Sequence, residues 1–229
     1  MSNLALRVIS AAVMMPLALV IAYAGGVLFA LFWAAAALAV LWEWSALVRG
    51  AALAPPARLG WYIAGAAYAS VLLLAPLLLR ADAAYGFLAI VMLFGIVWTT
   101  DVAAYFAGRA LGGPKLMPSV SPKKTWSGAI GGTLGAMLVA VALAYAFGIA
   151  NLPAIAVIAL LLSVLSQIGD LLESWIKRRF GAKDAGQLIP GHGGVMDRLD
   201  GFWAAALAAA LIGVVHGGFD APARGLLIW

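Results

Sequence analysis

Residues 153–176 read PAIAVIALLLSVLSQIGDLLESWI, a largely apolar segment that leads directly into the polar stretch KRRFGAKDAGQLIPGHGGVMDRLD at residues 177–200. A second apolar segment, GFWAAALAAALIGVVH at 201–216, follows at once. A helix of about 20 apolar residues is long enough to cross the hydrocarbon core of a bilayer. This part of the sequence therefore predicts two membrane spans joined by a long polar loop.

The composition extends this prediction to the whole chain. Of the 229 residues, 66% are hydrophobic and 10% are charged, whereas soluble proteins have about 45–50% apolar and about 25% charged residues. Because no polar stretch is long enough to form a separate domain, a soluble enzyme with one membrane anchor is excluded. The chain has 0 cysteines, which excludes disulfides, thiolate catalysis and cysteine-ligated metals.

The apolar segments predict an all-α, polytopic integral membrane protein with about seven transmembrane helices. Helices are required because backbone groups in lipid must be hydrogen-bonded within their own segment. The first segment also resembles a signal peptide that ends in Ala22-Tyr23-Ala24, which is the less favoured alternative. The predicted spans are residues 5–24, 26–48, 59–79, 85–108, 127–148, 153–176 and 201–216.

The basic residues predict the orientation of these spans, since cytoplasmic loops are enriched in Lys and Arg. A cytoplasmic N-terminus places the loops 49–58, 109–126 and 177–200 on the cytoplasmic side. Of the 14 basic residues, 12 then lie in these loops, at their edges or in the N-terminal segment, and only Arg80 and Arg224 fall outside. The net charge of +5 suits a surface that faces anionic lipid head groups.

Carboxylates within spans are functional candidates, because a charge in the membrane is costly. Glu43 lies between two tryptophans, and we interpret it as an interfacial residue of an aromatic belt. Asp101 and Asp170 lie near the cytoplasmic ends of their spans, and Ser166, Asp170 and Ser174 share one helix face. This face favours equally a site for a hard cation such as Mg²⁺ and a polar stripe that pairs helices.

The long loop 177–200 decides between these interpretations. It is richer in charge than a connector between helices needs to be, and Asp197 and Asp200 face the same way at the start of the last span. Gly193 and Gly194 allow backbone N–H groups to approach an anion. Carboxylates, cations and a glycine-rich turn together favour a metal–phosphate substrate.

A second cytoplasmic loop supplies further cations, including Arg109 and Lys115. Its end, SVSPKKTW at residues 119–126, leads into a predicted helix that Thr125 can cap, and the N-terminus of that helix favours an anion. In the helix itself, Gly128, Gly131, Gly132 and Gly135 form small-x-x-x-small pairs, which we interpret as helix packing.

The loop 177–200 and the end of the span before it contain one extended motif: Ser174, Lys177-Arg178, Lys183-Asp184, Gly186, Pro190-Gly191-His192-Gly193-Gly194 and Asp197-Arg198-Leu199-Asp200. This motif resembles the signature of the phosphatidate cytidylyltransferases, also called CDP-diacylglycerol synthases. Two further motifs match the family, Asp101-x-x-x-Tyr105-x-x-Gly108-Arg109 and Ser121-Pro122-Lys123-Lys124-Thr125. Ser127 and Gly201 depart from the residues that are common in the family.

The resemblance implies transfer of the cytidylyl group of CTP to phosphatidic acid, with CDP-diacylglycerol and pyrophosphate as products. It implies transmembrane helices 1–3 at residues 1–80 and a catalytic transmembrane region at 81–229. The implied metal ligands are Asp101, Asp170, Ser174 and Asp197. The implied catalytic residues are Asp170, Lys183, Asp184, His192, Asp197, Arg198 and Asp200. The implied substrate-binding residues are Arg109, Ser121, Lys123, Lys124, Thr125, Lys177, Arg178, Gly193 and Gly194.

The family resemblance also implies Mg²⁺ as cofactor, K⁺ as a candidate second cation, and a homodimer. The expected partners are CTP, phosphatidic acid and the bilayer, with no nucleic acid. We expect the bacterial plasma membrane, with an active site that opens to the cytoplasm for CTP and sideways to the leaflet for the lipid. The alternatives are a CTP-dependent polyprenol kinase, a transporter with intramembrane carboxylates, and an inactive relative.

Overall fold

The computed structural model describes residues 3–188 and 193–229, with side chains from residue 12 onward. Each predicted apolar segment forms a helix, which confirms the all-α polytopic fold. Most observed helices extend the predicted segments by a few residues where polar ends continue the helix, whereas α5 ends two residues before its predicted end. They are α1 (Asn3–Ala24), α2 (Gly26–Arg49), α3 (Pro55–Arg80), α4 (Gly86–Leu111), α5 (Trp126–Ala146), α6 (Leu152–Arg179), α7 (Met196–Gly217) and α8 (Pro222–Leu227).

Within the described residues, six helices are long and apolar enough to cross a membrane, namely α2 to α7. The predicted first span is helical over Asn3–Ala24, and its described apolar part is Ala12–Ala24; a seventh membrane span stays a prediction. Large apolar side chains cover the outside of the bundle; Leu138 and Val215, for example, are 72% and 86% exposed. Such a surface suits lipid and not water, which agrees with an integral membrane protein.

A short β-hairpin interrupts the helices between α4 and α5. The chain leaves α4 through Gly112 and Gly113, whose φ angles of 61° and 98° lie in the left-handed region that glycine tolerates. Strands β1 (Lys115–Met117) and β2 (Ser121–Thr125) then pair antiparallel. This segment is predicted to be a loop, so the hairpin is an addition to the predicted fold.

The helices α4 and α5 pack closely along small residues. A Cβ atom at Gly128 would lie 2.9 Å from the Ala104 carbonyl oxygen, and one at Gly132 would lie 2.7 Å from the Thr100 carbonyl oxygen. These spacings leave no room for a side chain, which confirms the predicted packing role of the glycines in α5. The close approach brings the hairpin and the C-terminal half of α4 over the same end of the bundle.

Candidate active site

A polar cleft of about 760 Å³ lies at the end of the bundle where α4 and α6 end and α5 and α7 begin. Its lining brings together most of the predicted site residues from four helices and the hairpin. Five of the lining residues are acidic and five are basic. The charged residues are Asp101, Arg109, Lys123, Lys124, Asp170, Lys177, Asp184, Asp197, Arg198 and Asp200, and the predicted Thr125 also lines the cleft.

The hairpin brings cations over α6. Lys124 Nζ forms an ion pair with Asp170 Oδ2, and both side chains are about a quarter exposed. Asp170 Oδ1 accepts a hydrogen bond from Ser174 at 3.4 Å, so the predicted face of α6 does bring these two residues together. Asp170 therefore keeps a partly solvent-accessible carboxylate in the cleft beside a partly exposed lysine.

Thr125 fixes the point where the hairpin becomes α5. Its hydroxyl accepts a hydrogen bond from the Gly128 N–H at 3.1 Å, which confirms the predicted N-cap. Ser127, one of the two departures from the family pattern, donates to the Gly112 carbonyl oxygen and so closes the base of the hairpin. On α4, the Arg109 guanidinium donates to the Tyr105 hydroxyl at 2.9 Å.

Lys177 lies between two carboxylates at the wall of the cleft. Its ammonium group is 2.5 Å from Asp197 Oδ1 and 2.6 Å from Glu173 Oε2. The Glu173 side chain is fully buried and that of Asp197 is 6% exposed. Because a buried carboxylate is stable only when it is paired, Lys177 compensates two charges at once.

Asp197 also organises the backbone around it. Asp197 Oδ2 accepts the Gly194 N–H at 2.8 Å and the Ala185 N–H at 3.0 Å. The Gly194 backbone is predicted to approach a substrate anion, whereas here its N–H binds the protein's own carboxylate. The Asp197 side chain thereby ties Ala185 and Gly194 of the polar loop to the start of α7.

Glu43 is buried and bonded to the start of α7, contrary to its interpretation as an interfacial residue. It is 2% exposed, and it accepts the Val195 N–H at 2.9 Å and the Met196 N–H at 2.8 Å. The interfacial interpretation is therefore wrong: Glu43 is buried beneath the first turn of α7. Its position between two tryptophans gave no signal of a partner in the distant loop.

A buried polar network beneath the cleft was also missed. The hydroxyls of Thr100 and Ser163 are 2.8 Å apart, and the Gln167 amide donates to Thr133 Oγ1 at 3.1 Å and to the Ala129 carbonyl at 3.3 Å. These bonds join α4, α5 and α6 at the floor of the cleft. Polar residues at helical spacing in α6 were the available signal, and they left a polar stripe that pairs helices as one alternative without assigning roles to Ser163 and Gln167.

Several predicted site residues do not line the polar cleft. The Arg178 guanidinium donates to the Ala182 carbonyl oxygen at 3.1 Å, which turns it towards its own loop. His192 lies outside the described residues. The other predicted residues outside the lining are Ser121, Ser174, Lys183, Gly193 and Gly194.

The donor set fits a Mg²⁺ ion that is shared with a phosphate ligand. Among residues 12–188 and 193–229, no three acidic or histidine side chains are gathered closely enough to hold a metal by themselves. Mg²⁺ commonly uses only one or two carboxylates, with water and substrate phosphates as the other ligands. Asp101, Asp170 and Asp200 present carboxylates to one cleft, whereas the Asp197 carboxylate already binds Lys177 and two backbone N–H groups.

An apolar groove of about 530 Å³ adjoins the polar cleft between α5 and α6. Leu116, Ala129 and Gln167 line both spaces, so the groove continues the cleft along the outside of the helices. Its other lining residues are Trp126, Ile130, Thr133, Leu134, Met137, Leu160, Val164, Ile168 and Leu171. A polar head bound in the cleft can therefore extend an apolar chain into the groove.

Known proteins match the chain along its length. The model of the cytidylyltransferase family matches residues 56–216. The phosphatidate cytidylyltransferases of Brucella suis biovar 1 and Brucella melitensis biotype 1 are each 46% identical, over 97% of this chain and 97% of their own. That of Haemophilus influenzae is 42% identical over 54% of this chain and 45% of its own. The chain therefore belongs to the cytidylyltransferase family.

Proposed function

We propose that the protein transfers the cytidylyl group of CTP to phosphatidic acid. A phosphate oxygen of the lipid attacks the α-phosphorus of CTP, and the bond from that phosphorus to the oxygen bridging to the β-phosphorus breaks. The products are CDP-diacylglycerol and pyrophosphate. The observation that carries this proposal is 46% identity over 97% of the chain to phosphatidate cytidylyltransferases, and the mixed-charge cleft agrees with it.

The chemistry needs positioning more than a general base, because the lipid phosphate is already an anion. Arg109, Lys123, Lys124 and Arg198 line the polar cleft and would hold phosphate oxygens of the two substrates. Lys124 would exchange its Asp170 partner for a phosphate when the nucleotide binds. Lys177 would instead keep Glu173 and Asp197 paired, which maintains the wall of the cleft on the α7 side.

The charge balance of the cleft supports Mg²⁺ as the cofactor. Its lining has five acidic and five basic residues, so it brings no net positive charge to two anionic substrates. Asp170 and Asp101 are the carboxylates that we propose as ligands, together with phosphate oxygens and water. When bound, Mg²⁺ would offset the charge that develops on the leaving pyrophosphate. Participation of Ser174 and Asp197 as ligands, and of K⁺ as second cation, stays a prediction.

We propose that the polar cleft faces the cytoplasm of a bacterium from its plasma membrane. The basic residues of loops 109–126 and 177–200 surround this end of the bundle, as expected for the cytoplasmic side. The opposite end, between α3 and α4, has Arg80. CTP would enter from the cytoplasm, and the lipid would enter along the apolar groove. A homodimer stays a prediction of the family resemblance.

The test is pyrophosphate release by the detergent-purified protein with CTP, phosphatidic acid and Mg²⁺. One arm omits the lipid, and two others use Asp170→Asn and Asp197→Asn. We expect lipid-dependent pyrophosphate release that both substitutions reduce at least about a hundredfold. Release of CDP instead of pyrophosphate would indicate a lipid kinase, and absence of turnover over a range of lipids would contradict the proposal. Asp197→Asn that keeps more than about a tenth of the rate would contradict Asp197 as a metal ligand.

A further inference from the structure

The first turn of α7 is held by a carboxylate from α2. Glu43 accepts the N–H groups of Val195 and Met196 at 2.9 and 2.8 Å. These N–H groups belong to the helix N-terminus, where no backbone carbonyl is available and where the helix dipole favours a negative charge. Glu43 thus fills the position in which an anion is most stable at this helix end.

Two glycines of the polar loop are shaped around this carboxylate. A Cβ at Gly186 would lie 2.5 Å from Glu43 Oε1, and a Cβ at Gly194 would lie 2.6 Å from both of its oxygens. Gly194 is not among the residues with positive φ, unlike its neighbour Gly193 at 82°. Its lack of a side chain is therefore required by the space that Glu43 occupies and not by the backbone conformation.

The turn that Glu43 holds leads directly into the polar cleft. Asp197 follows Met196, and its own carboxylate binds the Gly194 and Ala185 N–H groups and the Lys177 ammonium. Asp197 and Asp200 line the cleft one helical turn apart. A shift of the α7 N-terminus would move both carboxylates and release the pairing of Lys177.

We propose that Glu43 is a positioning residue for the reaction at the polar cleft. It fixes the first turn of α7 without touching substrate. Through this turn it also fixes the orientation of the Asp197 side chain and of its partner Lys177. It also occupies the N–H groups of Val195 and Met196, while Asp197 occupies that of Gly194, so that substrate phosphates bind to the cleft cations and not to this backbone. The proposal rests on the proposed function, and it concerns a residue outside the stretch 56–216 that the family model matches.

The first test compares Glu43→Gln and Glu43→Ala by steady-state kinetics. We expect kcat to fall about tenfold in Glu43→Gln, which retains one acceptor oxygen, and about a hundredfold in Glu43→Ala. KM for CTP and for phosphatidic acid should stay within about threefold, because the cations that bind phosphate are left in place. Glu43→Ala with more than half of the wild-type kcat would overturn the proposal.

The matched control is Asp82→Asn, at the opposite end of the bundle. Asp82 is also a buried carboxylate that accepts backbone N–H groups, those of Ala84 and Tyr85 at the start of α4 and that of Arg224. We expect its loss to lower the melting temperature and leave kcat within about twofold. If the substitutions at Glu43 and Asp82 both lower kcat only in proportion to the loss of folded protein, Glu43 has a merely structural role and the proposal fails.

A double-variant cycle tests the contact itself. Gly194→Ala should lower kcat in the wild type, because the new methyl group displaces the Glu43 carboxylate. In Glu43→Ala that space is vacant, so Gly194→Ala should cause little further loss, and coupling between the two changes should be evident. If the factors by which the two single substitutions lower kcat simply multiply in the double variant, the two residues are not coupled and the proposal is overturned.

Hydrogen exchange of the Val195 and Met196 amides provides a readout that does not depend on activity. Exchange should rise in Glu43→Ala and stay at the wild-type rate in Asp82→Asn, since only the first change removes the acceptor. Unchanged exchange in Glu43→Ala would overturn the positioning role. An inactive wild-type protein with the expected exchange pattern would instead refute the proposed function alone.

Discussion

At the scale of single residues, Lys177 determines whether the wall of the polar cleft is stable. Its ammonium group pairs with Asp197 at 2.5 Å and with Glu173 at 2.6 Å, and Glu173 is fully buried. Removal of one member of a buried pair costs more than the pair contributes, because a charge is left without compensation. The three residues should therefore behave as one unit in mutagenesis.

We predict that Lys177→Met destabilises the protein by about 3–5 kcal/mol, because it leaves two carboxylates unpaired in a buried site. The double variant Lys177→Met/Glu173→Gln removes one of these charges and should recover much of the stability. Activity should stay low in both, since Asp197 still lacks its partner. Thermal unfolding in detergent measures the first effect and pyrophosphate release the second; a double variant no more stable than Lys177→Met would contradict the coupling.

Asp170 should matter for catalysis and little for stability. Its side chain is about a quarter exposed and its partner Lys124 is equally accessible, so the ion pair contributes at most about 1 kcal/mol. Asp170→Asn should thus leave the melting temperature nearly unchanged and lower pyrophosphate release at least about a hundredfold. The matched control is Asp220→Asn, an exposed carboxylate between α7 and α8. Equal losses in the two variants would contradict the site assignment.

Residues of the cleft could be predicted to lie together where they are close to each other in the sequence. Asp170 and Ser174 lie one helical turn apart, and Asp197 and Asp200 lie on one face of the same helix, so the helical period alone brings each pair together. Glu43 and Val195 are 152 residues apart, and no local pattern relates them. Burial of Glu43 follows only from the packing of α2 beneath α7, which composition does not specify.

At the scale of elements, the contact between α4 and α5 determines where the hairpin lies over α6. Gly132→Ala places a methyl group 2.7 Å from the Thr100 carbonyl oxygen, and the helices must move apart. We predict a loss of about 1–3 kcal/mol from this overpacking, with reduced activity because Lys124 moves with α5. Gly60→Ala is the control, since a Cβ there meets nothing within 4 Å, and it should be neutral or slightly stabilising.

Thermal unfolding of the two glycine variants checks this prediction. A Gly132→Ala variant as stable as the wild type would contradict the prediction, because it would show that α4 and α5 can accommodate the methyl group.

The hairpin itself was not predicted, because KLM and SPKKT are too short and too polar to show the alternation of a strand. The helix that follows was predictable, since Thr125 and the apolar run after it give a local start signal.

At the scale of the whole molecule, the polar cleft and the apolar groove together match one amphipathic substrate. The cleft lies where charged helix ends meet, and the groove runs from it between α5 and α6, along side chains that face outward. A lipid could thus keep its acyl chain at the depth of the membrane while its phosphate reaches the cleft cations. A sideways opening for the lipid is an expectation of the family resemblance, but the position of the groove between α5 and α6 follows from helix packing and could not be predicted from the sequence.

Leu134→Trp tests this arrangement, because Leu134 lines the apolar groove and is 60% exposed. A tryptophan there should obstruct a long acyl chain and raise KM for long-chain phosphatidic acid about tenfold. KM for CTP and for a short-chain phosphatidic acid should stay near the wild-type values, because neither ligand reaches Leu134. Leu138→Trp is the matched control, one turn further along α5, 72% exposed and outside the groove lining. If both tryptophans raise KM equally, the acyl chain does not lie in this groove, and entry of the lipid must be sought on another face of the bundle.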